Sequence, residues 1–207
     1  MEDCTFNWKH IFVKESGLID PQPSFPCYKP GQLMFDNHMS ALNFVLSDGW
    51  ELNSSTPLDI HRFLTREVDF FEDTNNSGRY REVDVWIGHE TCPSPILLPD
   101  LMYRLFKFSK KLVDLSYDNK ISGILAASLS HHMFEVIHPF IDGNGRTGRL
   151  LFTKILKDCG EDPRIFFFAD RQSYYLEIQC FRENYWAGYN FNMDAICQDY
   201  NLPPLQV

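Results

Sequence analysis

The sequence predicts an all-α domain with one short β-hairpin. Three observations lead there. After Asp36 apolar residues recur at spacings of three and four, only one segment alternates with period two, and the residues between the periodic runs are those that start and stop helices. A chain of 207 residues can bury a core of its own without disulfide or metal staples.

The elements follow in order. Residues 1–30 carry Pro21, Pro23, Pro26 and Pro30, which fix φ and remove backbone donors, so this stretch is expected to be an irregular N-terminal arm, and the domain is placed at 31–207. From Asp36, the spacing of Ala41, Leu42, Val45 and Leu46 predicts a helix. Thr56, as a cap, and Pro57, in the first turn, open the next, with Ile60, Phe63, Leu64 and Val68 on one face. Between Ser77 and Gly88 the pattern changes. Arg79 to Ile87 alternates, with Val83, Val85 and Ile87 on one side, between the turn residues Asn75-Asn76-Ser77-Gly78 and Pro93/Pro95. This is the expected hairpin. Pro99-Asp100 opens a helix with the stripe Leu101, Leu105, Phe108 and Leu112. Further helices are expected from about Asn119 to Ile137 and from about Asn144 to Gly160, a glycine suited to the left-handed position after a last turn. The aromatic-rich stretch 172–199 also reads as helical.

The net charge of −9, without a Lys/Arg-rich run, disfavours a nucleic-acid partner. Cys4, Cys27, Cys92, Cys159, Cys180 and Cys197 form no Cys-x-x-Cys pair and are read as reduced thiols of a cytoplasmic protein. The N-terminus lacks an apolar secretory stretch, and no apolar run approaches the ~18 residues of a membrane helix. A soluble protein without a membrane partner is expected; delivery into a host cell by a non-classical signal stays open.

One segment concentrates the chemistry: His138-Pro139-Phe140-Ile141-Asp142-Gly143-Asn144-Gly145-Arg146-Thr147-Gly148-Arg149. Pro139 stops the preceding helix at His138. Gly143-Asn144-Gly145 offers backbone N–H groups at the mouth of the next helix, where unpartnered donors and the helix dipole favour an anion. Arg146 and Arg149, three apart, share one face of the first turns. Cations there oppose the dipole, a cost that a bound polyphosphate reverses. Asp142 would repel phosphates unless Mg²⁺ bridges them, and Mg²⁺ takes one or two carboxylates together with phosphate oxygens and water. His138 can accept a proton from a hydroxyl near neutral pH. The residues alone thus point to a nucleotide polyphosphate, Mg²⁺ and a histidine base.

Nearby residues receive plainer readings. His131 is expected in the core or behind the site, and His132 on the surface, rather than with His138 around zinc. Glu135 is expected to be a solvated carboxylate. Tyr174 and Tyr175 are read as core or partly exposed as readily as adenine contacts, and Phe166-Phe167-Phe168 as core beneath a turn.

The segment resembles the signature of Fic-domain proteins, His-Pro-Phe-x-(Asp/Glu)-Gly-Asn-Gly-Arg-x-x-Arg, and meets every defined position. His131 and Phe134 upstream, Gly78-Arg79-Tyr80-Arg81 before the alternating segment, and Asn37-His38 with Ala41-Leu42 resemble the family as well. The resemblance spans roughly residues 36–200 and leaves the arm outside it. It implies protein adenylyltransferase activity: transfer of AMP from ATP to a Ser, Thr or Tyr hydroxyl of a target protein, with His138 as base and Asp142 holding Mg²⁺. Gly143, Asn144 and Gly145 would cradle phosphates, the Asn144 side chain adding a donor, while Arg146 and Arg149 hold the β- and γ-phosphates. The flap, with Gly78, Val83, Val85 and Ile87, would clamp an extended target segment as an added strand.

The family's inhibitory pattern, Ser/Thr-x-x-x-Glu-Gly/Asn, is met only in part. Ser47 to Glu51 is followed by Leu52, and Ser173 to Glu177 by Ile178. The resemblance therefore leaves restraint by a separate inhibitor chain or by the arm open, along with a homodimer. Its rival readings are removal of AMP, transfer of another phosphate-containing group by a kinase or UMP transferase, and a toxin–antitoxin or binding module.

Overall fold

The computed structural model describes residues 31–67, 76–163, 171–188 and 190–205. The expectations for the arm at 1–30, for Val68 and for Phe166-Phe167-Phe168 fall outside them.

The core is built around one helix that is apolar on nearly every side. In α4 (Gly123–Ile137), Ala126, Ala127, Leu129, Met133, Phe134, Val136 and Ile137 are all buried, as expected for a helix enclosed by others. Its neighbours are α3 (Leu98–Tyr117), α5 (Asn144–Asp158) and α6 (Arg171–Tyr185). The predicted stripe of α3, Leu101, Leu105, Phe108 and Leu112, lies in this main core. A second, smaller core joins α1 (Gly31–Leu46) and α2 (Thr56–Thr65) to α5 through Ala41, Leu42, Val45, Ile60, Leu64 and Leu150. Helix α5 therefore faces both cores, and its N-terminus is held from two directions.

Helix ends follow local chemistry. Gly160 takes φ +75° after α5, and the Glu161 N–H returns to the Leu156 carbonyl, the double-bonded ending expected there. The same device corrects the predicted start of α4. Asn119, at φ +56°, ends α3, with the Lys120 N–H on the Leu115 carbonyl, so α4 begins only at Gly123, capped by the Ser122 hydroxyl accepting from Leu125 N–H at 3.2 Å. At α2 the residue before the helix is Ser55, without a side-chain cap. Thr56 Oγ1 instead accepts from Asn53 N–H at 3.0 Å.

The hairpin is shorter than the alternation predicts. Only β1 (Trp86–Ile87) and β2 (Glu90–Thr91) pair, antiparallel, around Gly88 at φ +63°. Residues 79–85 form no strand: Arg81 is turned inward and buried while Val83 is exposed, so the alternation marks no apolar face. The C-terminal stretch is likewise not one helix. A second hairpin, β3 (Trp186–Ala187) with β4 (Asn190–Phe191), separates α6 from α7 (Met193–Asp199). Gly188 at φ +58° permits the turn, and the Asn192 side chain caps α7 by accepting from Ala195 N–H.

Gly148, in the middle of α5, marks the closest approach to α4. A Cβ built there meets the Glu135 carboxylate, and also His131 Nδ1 and Phe134 Cδ1, each at 3.0 Å. In an open helix interior Gly→Ala gains up to about 1 kcal/mol. Here Gly148→Ala is expected to cost about 1–3 kcal/mol through overpacking. Urea unfolding of the variant checks this, and a gain in stability would refute the packing argument.

Candidate active site

The site begins where α4 ends. His138 stands at φ +50°, ψ +62°, with its N–H on the Phe134 carbonyl at 3.0 Å. Pro139 bars further helix, and left-handed backbone at a non-glycine residue persists only where surroundings impose it. The chain re-enters a helix through Gly143, at φ +78°. The first intrahelical bond of α5 runs from Thr147 N–H to the Gly143 carbonyl, so the N–H groups just before it open toward the loop.

Three side chains fix this loop. Asn144 does so from within: Oδ1 accepts from Phe140 N–H and Nδ2 donates to the Phe140 carbonyl, both at 2.8 Å. The amide oxygen and one of the two amide N–H donors are thereby engaged with the loop itself. Phe140 is fully buried and stacks on His61 at 3.9 Å. His61, from α2, accepts from Gly78 N–H through Nδ1 at 2.9 Å, so Nε2 carries the proton that it donates to the Asp142 carbonyl at 3.0 Å. Burial pushes its pKa down to about 4. Arg81, before the hairpin, donates from its backbone N–H to the Pro139 carbonyl at 2.9 Å and from Nε to the His138 carbonyl at 2.8 Å.

The charges are arranged around a neutral imidazole. Burial pushes His138 down to about 4, with the Arg81 and Arg182 charges adding to it and the Glu135 carbonyl and Asp142 opposing. Arg146 is buried and donates to Asp142 Oδ2 at 3.1 Å; the Asp142 side chain is 46% exposed. Arg149 is fully buried, and its Nη1 donates to the Tyr174 hydroxyl at 3.3 Å. That hydroxyl also shares a 3.1 Å hydrogen bond with His131 Nε2. His131 is buried as expected and held down at about 3 by burial first and by the neighbouring charges second.

A helix mouth with open N–H groups and two buried arginines has the chemistry to take an anion. The Fic/DOC family matches residues 51–156, half of the chain. The chain belongs to the Fic/DOC family. It is 33% identical over 143 residues to the protein adenylyltransferase Fic of Drosophila willistoni, covering 69% of this chain and 27% of that protein. The protein of the same name from Nematostella vectensis is 38% identical over 140 residues, covering 65% and 31%. The chain thus spans about a third or less of the length of these relatives. In fold it is similar to a Fic-domain-containing signaling protein from Bacteroides thetaiotaomicron (TM-score 0.69, 19% identity, 94% and 82% of the two chains). It is also similar to Fic-1 from C. elegans (TM-score 0.57, 20% identity, 85% and 56%).

Within this Fic fold the predicted site residues fall into two groups. His138, Asp142, Gly143, Asn144, Gly145, Arg146 and Arg149 come together at the α4–α5 junction. Val85 and Ile87 are half-buried and Val83 is 54% exposed, at or beside the hairpin. Gly78 is elsewhere. It is the foot of the flap, at φ +65° and packed against Leu58 and Arg62 of α2. Two nearby expectations are corrected. Glu135 is buried rather than solvated: it lies four residues after His131, hence on the same helix face, in the space that Gly148 leaves open. His132 is half-buried against Phe181 at 5.3 Å rather than on the surface. Sequence reasoning missed His61 and Arg81. No spacing ties residue 61 to 142 or 81 to 138; Arg81 within the Gly78–Arg81 match was the only available signal.

Several histidines are kept neutral by burial: His61, His132 and His138 at about 4, His131 at about 3 and His38 also well below the usual 6.5. In the unfolded chain they take up protons near pH 6.5, whereas the folded protein resists until about 4. The unfolded state then binds more protons, so stability is full above about pH 6.5 and falls with pH through that window. Each fully buried histidine contributes about 1.4 kcal/mol per pH unit there. Urea midpoints should drop markedly from pH 7 to pH 5, before most carboxylates titrate, and a flat profile would contradict neutral burial.

Proposed function

We propose that this domain transfers the AMP moiety of ATP to a hydroxyl side chain of another protein and releases pyrophosphate. The observation that carries the proposal is the neutral imidazole of His138 beside a helix mouth whose first turns bury Arg146 and Arg149. The name shared by the relatives, protein adenylyltransferase, supports it.

In this reading His138 takes the proton of the target hydroxyl as its oxygen attacks the α-phosphorus of ATP. A bond from that oxygen to phosphorus forms, the bond from the α-phosphorus to the bridging oxygen breaks, and pyrophosphate leaves. Backbone N–H groups of Gly143, Asn144 and Gly145 hold phosphate oxygens. Arg146 and Arg149 bind the β- and γ-phosphates, which sets the α-phosphorus toward His138. Positioning and charge stabilisation supply most of the acceleration in such transfers. The Tyr174 hydroxyl orients Arg149 without bringing a negative charge to it.

The residues fit Mg²⁺. Asp142 is a single, half-exposed carboxylate next to the phosphate site, and Mg²⁺ combines one such ligand with phosphate oxygens and waters. Bound there, the ion would neutralise phosphate charge. For the target, Val83 and Trp86 are exposed at the hairpin, where an extended segment can add as a strand. Glu51 and Glu177, from the two partial inhibitory patterns, are both exposed.

With Mg²⁺ and α-labelled ATP in a cell lysate, a protein should gain AMP, detected by gel and mass spectrometry. His138→Ala is expected to lower the rate by about 10²–10⁴-fold, the usual worth of a general base, and removal of Mg²⁺ should abolish transfer. Label arriving from the γ-position instead would reassign the chemistry to phosphoryl transfer, and no His138-dependent label would overturn the proposal.

A further inference from the structure

Arg81 is a buried guanidinium, 2% exposed, held by carbonyl groups rather than by an ion pair. Nε donates to the His138 carbonyl at 2.8 Å, Nη1 to the Val83 carbonyl at 3.0 Å and Nη2 to the Pro93 carbonyl at 2.6 Å. Its backbone N–H adds a fourth bond, to the Pro139 carbonyl at 2.9 Å. Burying a cation is costly unless its donors are satisfied, and burial indeed lowers the Arg81 pKa. A fold that merely needed filling here would be served by an apolar side chain. What only a planar fork of donors can do is tie several carbonyls at fixed angles.

The four acceptors sort into two pairs. His138 and Pro139 are the first residues of the catalytic loop, where His138 stands in the left-handed region. Val83 and Pro93 flank the hairpin, one before β1 and one after β2. A single side chain therefore joins both ends of the flap to the backbone of the base.

We propose that Arg81 is the positioning residue of the base: it locks the left-handed backbone of His138 to both ends of the flap, so that the seat of the target segment and the proton acceptor are one rigid unit. This rests on His138 being the base of AMP transfer. Arg81 touches no reacting atom in this arrangement; it acts through the His138 carbonyl. Lysine keeps the charge but cannot serve three carbonyls in fork geometry, so Arg81→Lys separates orientation from charge.

The test compares wild type, Arg81→Lys, Arg81→Gln, His138→Ala and a control at a distant exposed pair, Arg104→Lys. Thermal midpoint, binding of a fluorescent ATP analogue, kcat and KM of AMP transfer, and the imidazole NMR signals of labelled His138 are measured for each. In Arg81→Lys, nucleotide binding and the KM for ATP are expected to stay within about threefold, and the His138 signals to move. Its kcat should fall about 10²-fold, the scale of an ångström-sized misplacement. Arg104→Lys should change none of these. Unmoved His138 signals with kcat near wild type would overturn the proposal. So would failure of both Arg81 variants to fold, because the residue would then serve the fold and not the base. If wild type itself transfers no AMP, the functional reading fails, while the His138 signals still decide whether Arg81 orients that residue.

Discussion

The architecture of the site depends on one constraint: a buried loop must have its backbone hydrogen bonds satisfied. Pro139 forces α4 to end and Gly143 lets α5 begin, which leaves a short irregular stretch that is buried at Pro139, Phe140 and Gly143, where unpaired polar backbone is costly. Each recorded partner in this stretch comes from a particular residue. Arg81 serves the His138 and Pro139 carbonyls, Asn144 serves both backbone groups of Phe140, and His61 serves the Asp142 carbonyl. The loop's shape is the shape these partners allow, and the orientation of every group that would touch a nucleotide follows from it.

The same burial sets the electrostatics. Removing the histidines from water keeps them neutral, so His138 can act as a base and His61 can accept at one nitrogen while donating at the other. The two arginines of α5 remain charged because guanidinium scarcely deprotonates, and they stand at the positive end of the helix dipole. Arg149 donates to the Tyr174 hydroxyl, a partner that brings no negative charge of its own.

Packing links the site to the rest of the domain. Helix α5 faces both cores, and Gly148 lets it approach α4 closely enough to enclose Glu135 and His131. The flap is tied down at its foot by Gly78 on His61, at its flanks by Arg81, and at β2 by Arg182, which donates to the Thr91 carbonyl at 2.6 Å. Helix α2 thus holds both the loop and the foot of the flap through His61, Arg81 joins flap to loop, and α6 holds β2.

The sequence by itself determined the all-α class, most helices, the glycine that ends α5, and the contiguous segment 138–149 that the fold brings to the α4–α5 junction. These are local properties: periodicity, proline and glycine punctuation, and a contiguous motif each leave a mark within a few residues. Two of its errors were local ambiguities. Alternation at 79–87 mimicked a strand because Arg81 points inward for a reason unrelated to pleating, and Asn119 was read as a start when it serves as a stop. The tertiary structure alone decided the roles of His61 and Arg81. Their partners lie 81 and 57 residues away along the chain, and a hydrogen bond across such a distance imposes no period or spacing that a single sequence could display.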